Sequence, residues 1–255
     1  MPKTKDTPIL KKLSVLIHQD GLSFYAYQDG QILDAYHERF KHPANPIELL
    51  KRIEEIYQQQ EFLDYAFAKA TLFYHHNIFT CVPGEIFNEK QAVDYLKYNA
   101  RILETDHIST DELSGELNIH TVYIAYANIN NYFFERYGSF DYYHYGSRLL
   151  ELRSQDAKSL HFDVSLEVMV SDFYLSIFKN GKLHAHNLFP FEAIEDILYY
   201  TMYTTHHCEA DPETFKLRII SENHDQELYD LLYTYVRHVE YQQDYPTYKN
   251  QFLCV

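Results

Sequence analysis

Residues 22–36 read LSFYAYQDGQILDAY and residues 173–187 read FYLSIFKNGKLHAHN. Laid one above the other, Gly30 falls on Gly181, Asp29 on Asn180, and the apolar positions Phe24, Ala26 and Ile32 fall on Leu175, Ile177 and Leu183. Alternation around Asp-Gly or Asn-Gly marks a hairpin closed by a two-residue turn, because these residues accept the positive φ that such a turn needs. Extended outward, the pattern of residues 13–73 recurs in residues 164–221. Two units at this spacing read as a duplicated domain and not as a solenoid.

In the first copy, residues 13–18 form a short apolar strand. The Gln19-Asp20-Gly21 turn returns it as residues 22–27, and Asp29-Gly30 returns that as 31–37. Pro43 and Pro46 then interrupt the meander. Leu49, Leu50, Ile53, Ile56 and Tyr57 recur at helical spacing, with Lys51, Arg52, Glu54 and Glu55 on the other face. Residues 65–74 and 78–82 read as strands, the second halted by Pro83-Gly84, and 89–98 as a helix. Polar residues 104–117 read as an edge strand.

Residues 121–127 are a strand and precede a helix that Asn128 or Asn130 caps and Gly138 ends. Residues 140–145 are extended, and 147–153 make one or two helical turns. This β-α-β-α piece, about residues 118–154, is read as an insertion ending the first lobe. In the second copy, strands at 160–169, 173–178 and 182–188 precede a helix after Pro190, a break at Asp211-Pro212 and a strand at 215–221. Leu228, Leu231, Leu232, Tyr235, Val236 and Val239 mark a last amphipathic helix. The expected fold is α/β with mixed sheets: a duplicated β-β-β-α-β unit in two lobes, residues 1–155 and 156–255.

Lys and Arg number 22 against 37 Asp and Glu, a formal charge of −15. Nucleic acid backbones and anionic membranes are therefore poor partners, since the one basic run, residues 3–12, is short and terminal. No stretch has the roughly 20 apolar residues of a membrane span, and the N-terminus lacks the apolar core of a signal peptide. A cytoplasmic location is expected. Cys81, Cys208 and Cys254 are an odd, scattered set that fits reduced thiols. The 7 glycines leave little for a backbone phosphate cradle. The 25 tyrosines, with no tryptophan, serve either core packing with the hydroxyl at the solvent edge or a protein interface.

Two β-β-β-α-β units that each open with a hairpin resemble the actin-like ATPase superfamily, with its ribonuclease H-like fold, which includes actin, Hsp70-type chaperones and sugar kinases. The chain more closely resembles a bacterial family of unknown function with this fold. That likeness rests on FTCVPGEIFNEKQAVDYLKYN at 79–99 and FYLSIFKNGKLHAHNLFPFEAIEDILYY at 173–200. Relatives of better-known role look like the cytoplasmic actin-like proteins that help build type IV pili and type II secretion platforms.

In active members, this resemblance implies, the first hairpin of each lobe grips phosphate with a glycine-bearing turn and an Asp that positions metal and water. A Gly-Gly turn after the second lobe's fourth strand admits adenosine. Here the first turn is Ile17-His18-Gln19-Asp20-Gly21, with His18 or Gln19 at the Asp place and Asp20 further on. The second is Val168-Met169-Val170-Ser171-Asp172, without glycine. The third is Ile219-Ile220-Ser221-Glu222-Asn223, with a carboxylate in place of glycines. Asp20, Asp172 and Glu222 would repel a triphosphate.

The resulting expectation is a non-catalytic scaffold or assembly protein with a degenerate nucleotide site, a cleft filled by side chains and no cofactor. It has protein partners, possible self-association included. Two alternatives remain: a divergent ATPase or kinase using Asp20 with Asp163 or Asp172 for magnesium, and a module binding a phosphate-free ligand in the cleft. His206-His207-Cys208 with Glu209 and Asp211, and His75-His76, read as helix-end or strand-end residues and not as metal sites. Asp163 and Glu167 read as a solvated sheet face. The cysteines lack a neighbouring base that would make them nucleophiles.

Overall fold

The structure, a computed structural model, describes residues 11–98, 100–113, 115–156 and 161–242. The first half runs β1 (Lys11–His18), β2 (Gly21–Gln28), β3 (Gln31–Arg39), α1 (Pro46–Gln59), β4 (Phe67–His75), β5 (Phe79–Pro83), α2 (Ala92–Lys97), β6 (His107–Leu113), β7 (Ile119–Ala125), α3 (Ala127–Tyr137), β8 (Asp141–His144) and α4 (Tyr145–Asp156). The second runs β9 (Phe162–Val168), β10 (Asp172–Lys179), β11 (Lys182–Pro190), α5 (Ile194–His207), β12 (Lys216–Ile220), α6 (Gln226–Tyr235) and β13 (His238–Tyr241).

The strands form two five-stranded sheets, in the orders β3-β2-β1-β4-β8 and β11-β10-β9-β12-β13, and a three-stranded sheet, β5-β7-β6. In both large sheets the first three strands are antiparallel and the last three parallel. The likeness extends to local detail. Asp29 and Asn180 have φ of 52° and 51°, and Gly30 and Gly181 have 75° and 77°. Each hairpin then carries a bulge at the same place, at Leu33 and at His184. The fold is mixed α/β.

Several elements depart from the sequence reading. The segment expected as an insertion, residues 118–154, sends β8 to pair with β4 and so completes the first large sheet. Its strand β7 instead centres the small sheet, where β6 is an edge, as the polar character of 104–117 suggested. Neither Asn128 nor Asn130 caps α3. The cap position is Tyr126, which makes no side-chain cap bond. Asn128 donates to the Pro46 carbonyl (2.7 Å), and Asn130 accepts from the Tyr74 hydroxyl (2.6 Å). Val239 lies in β13 and not in the last helix, because pairing with Leu217 in β12 outweighs its helical spacing. Residues 1–10, part of the basic run among them, and Cys254 lie outside the described residues.

α1 starts at a full capping box. The Asn45 side chain accepts from the amides of Ile47 (2.9 Å) and Glu48 (3.1 Å), and Glu48 accepts from the Asn45 amide (2.9 Å). Asn45→Ala is expected to cost about 1 kcal/mol, readable as a lower urea midpoint at unchanged slope. Below α1, Leu49, Ile53 and Ile56 are fully buried against the first sheet.

The first core also takes in Tyr174 and Ile220 from the second half, so the lobes share packing. Tyrosine fills cores more completely than a solvent-edge role allows. Tyr74, Tyr123 and Tyr174 are wholly buried, and the first two hydrogen-bond inside, to Asn130 and to Asp111. Other tyrosines, such as Tyr199 and Tyr203 on α5, are exposed. No described helix is long and apolar enough to cross a membrane.

Candidate functional site

Three turns at one end of the two large sheets converge on a cavity of about 580 Å³ between the lobes. They are the β1–β2 turn, the β9–β10 turn and the loop after β12. This follows from the topology: β1 and β9 are central, each turns into the next strand at the same end, and β12 runs parallel to β9 and ends beside it. His18, Asp20, Gly21, Met169, Val170, Ser171, Asp172, Ser221, Glu222 and Asn223 all line this space. Gln19 does not line it. Its carbonyl accepts from the Ala44 amide (2.6 Å), and its side chain bonds the Tyr126 hydroxyl.

The expectation of a filled cleft is not met. Val170 stands at the rim of the space, 59% exposed, and the cavity stays open. Only three residues join β9 to β10, with the Met169 amide donating to the Asp172 carbonyl (2.9 Å), so the tip is a short turn that does not fill the cleft.

Polar contacts cross the cleft. Ser171 Oγ donates to Asp20 Oδ2 (2.6 Å), joining the tips of the two hairpins. His75 Nε2 lies 2.9 Å from Asp172 Oδ2, while its Nδ1 faces the Tyr174 hydroxyl at 3.4 Å. His18 lies against His75, the rings tilted by 35° with centroids 4.1 Å apart. Burial, then the neighbouring His75, holds His18 well below the usual histidine range, so His18 is neutral. The Tyr145 hydroxyl, at the start of α4, donates to Glu167.

Asp163 and Glu167 are therefore not on a solvated face. They are 2% and 4% exposed, because β9 is a central strand covered on both sides. His75 and His76, read as strand-end residues, are buried too. His75 reaches a residue 97 positions away, a juxtaposition with no local trace in the sequence. Tyr145 was missed for the same reason.

The Gly21 requirement lies in the sheet. A Cβ there would sit 2.5 Å from the Glu38 carbonyl oxygen on β3. Burial pushes the Cys81 thiol up to about 12, so it stays protonated and is a poor nucleophile. His206 and His207 are exposed in the last turn of α5, and no group of three or more potential metal ligands occurs among the described residues.

Residues 2–239 match a protein family described as a protein of unknown function (DUF3822). Among solved structures, the chain is similar to a Bacteroides thetaiotaomicron protein described as having an actin-like ATPase fold and unknown function. The two are 20% identical, with 100% of each chain covered and a TM-score of 0.81. It is also similar to a chain of a PilM-PilN type IV pilus biogenesis complex, at 13% identity and a TM-score of 0.56, covering 94% of this chain and 90% of that one. These likenesses establish the actin-like ATPase fold. No curated protein matches the sequence.

Proposed function

We propose that this chain, which belongs to the DUF3822 family of proteins of unknown function, is a non-catalytic actin-like protein that acts by binding protein partners in the cytoplasm and does not take up Mg·ATP. One observation carries this reading: Ser171 bonds Asp20 directly, so the two hairpin tips that would straddle a nucleotide's phosphates hold each other instead. Charge supports it. Asp20, Asp172 and Glu222 all line the cavity, and a triphosphate entering there meets carboxylates in place of amides. Likeness to a pilus assembly protein seen in complex with its partner supports the interaction role.

Isothermal titration with Mg·ATP is expected to give no saturable heat. Micromolar binding overturns the reading. Sustained phosphate release abolished by Asp20→Ala would instead favour a divergent ATPase.

A further inference from the structure

We infer that the groove between β5 and β11 takes up an extended segment of a partner protein as an added strand, uncharged where it lies in the groove and basic on either side. The inference rests on the proposed role in binding protein partners and deepens it, placing one such contact away from the interlobe cavity.

Each of these strands ends a sheet. Among the described residues, β11 pairs with β10 alone and β5 with β7 alone. The free side of each edge therefore carries a row of backbone N–H and C=O groups with no strand opposite. The two edges face each other across a cavity of about 510 Å³, lined by four of the five residues of β5 and by residues 183–188 of β11. At one end the rings of Phe79 and His186 lie 5.7 Å apart. Further along, Cys81 and Leu183 rest on the same buried cluster of Leu113, Leu150 and Phe178. The edges thus run in opposite directions over an apolar floor.

The walls are open to an incoming chain. Thr80, Cys81, Leu183 and Ala185 are half-buried, and His184 and Asn187 are exposed. At about 3.3 Å per residue, the β11 wall offers a length of about 20 Å. A segment laid in the groove is antiparallel to one edge and parallel to the other, and its backbone groups, which alternate in direction, find partners on both sides.

The duplication shows what sets this edge apart. The counterpart of β11 in the first sheet is β3, with its bulge at the matching place. β3 carries Asp34 and Glu38, and the alignment that sets Gly30 on Gly181 sets these two on Ala185 and Phe189. Charged side chains on an edge strand discourage pairing with another chain, because pairing would strip their water. β3 keeps that protection and β11 has lost it. No Asp or Glu lines the groove, although the whole chain carries a formal charge of −15. Charge complementarity thereby selects the occupant: the carboxylate-free groove takes the uncharged part of the segment, and the acidic chain attracts basic residues beside it.

The test selects two displayed peptide libraries against the full chain, each with about six random residues to match the groove, flanked by Lys-Lys in one and by Glu-Glu in the other. Binders are expected from the lysine-flanked library alone. Once synthesised, such a binder should slow amide hydrogen exchange at least about tenfold in residues 79–82 and in residues 183–188 together. N-methylation of its alternate residues, in either phase, should weaken it at least about tenfold. His184→Trp, which crowds the groove from the exposed bulge of β11, should weaken it to a similar degree, whereas Leu33→Trp at the matching bulge of β3 leaves it unchanged. Both positions are exposed, so both variants should melt like the parent. No binder from either library, equal recovery from both, protection elsewhere or in one strand alone, or indifference to N-methylation or to His184→Trp overturns the inference. Mg·ATP titrated in parallel reports separately on the nucleotide reading.

Discussion

Acidification from pH 7 to pH 5 is expected to remove a large share of this protein's stability, with the buried Asp111 carboxyl opposing the loss. The cause is a set of buried neutral histidines at the lobe junction. His76 Nε2 donates to the Ile124 carbonyl (2.8 Å), and its Nδ1 accepts from the Ile78 amide (3.2 Å). His144 Nε2 donates to the His76 carbonyl (3.0 Å), and its Nδ1 accepts from the Gly146 amide (3.2 Å). Each ring has one nitrogen for each role, so a second proton would face an N–H donor. Burial pushes His76 down to about 4 and His186 down to about 3, and it lowers His18 and His144 in the same direction.

These are bases whose folded pKa is depressed, so the unfolded chain takes up protons first as pH falls. Stability drops from the ordinary histidine value of about 6.5 downward, and the drop from each ring ends only at that ring's folded value. At about 1.4 kcal/mol per pH unit, His76 and His186 each contribute a loss of about 2 kcal/mol between pH 7 and pH 5. Asp111 opposes them. Its carboxyl is raised to about 6 by burial, and its protonated folded form returns about 1 kcal/mol over the same interval. Against a total stability of roughly 5–15 kcal/mol, the net loss is large. Urea midpoints at pH 7, 6 and 5 measure it, and a midpoint that stays level across this range would sink the prediction.

Gly21→Ala carries the second large effect. The Glu38 backbone oxygen, 2.5 Å from the added Cβ, belongs to a paired strand and cannot swing aside as a side chain can. The β2–β3 register must shift, at a cost of about 3 kcal/mol. For a chain of this size the melting temperature should fall by roughly 6–12 °C. Gly30→Asn is the contrast: nothing lies within 4 Å of an added Cβ, and Asn tolerates the φ of +75°. It should cost less than about 1 kcal/mol. Thermal melts of both variants decide between a sheet role and a phosphate-binding role for Gly21. A Gly21→Ala protein that melts like the parent would show the residue was kept for something other than strand packing.

The exposed tyrosines of α5 give the interaction reading a physical surface. Tyr199 and Tyr203 are 62% and 55% exposed and stack on each other with centroids 5.9 Å apart. Large rigid aromatics at the surface give up little conformational entropy on contact, which suits them to protein interfaces.

Both hairpin turns were legible in the sequence because a type of turn is a local property: Asp29-Gly30 and Asn180-Gly181 state their φ preference without reference to anything distant. The meanders and α1 followed from periods of two and of 3.6 and from Pro or Gly breaks, whereas the three convergent turns were picked out by the family resemblance. Helix capping at α3 was misread because a hydroxyl from β4 and a carbonyl from α1 claimed the two asparagines.

What the amino-acid order determined by itself is where the strands, α1 and the Asp29-Gly30 and Asn180-Gly181 turns fall, since these preferences act locally. What only the tertiary structure decided is how the residues at the cleft spend their bonds: Ser171 on Asp20, Asp172 on His75, Glu167 on Tyr145. Those pairs span 151, 97 and 22 positions. The physical reason is range. Backbone preference acts over a few residues, whereas a hydrogen bond or an ion pair is chosen only when packing of the two lobes has fixed which groups meet.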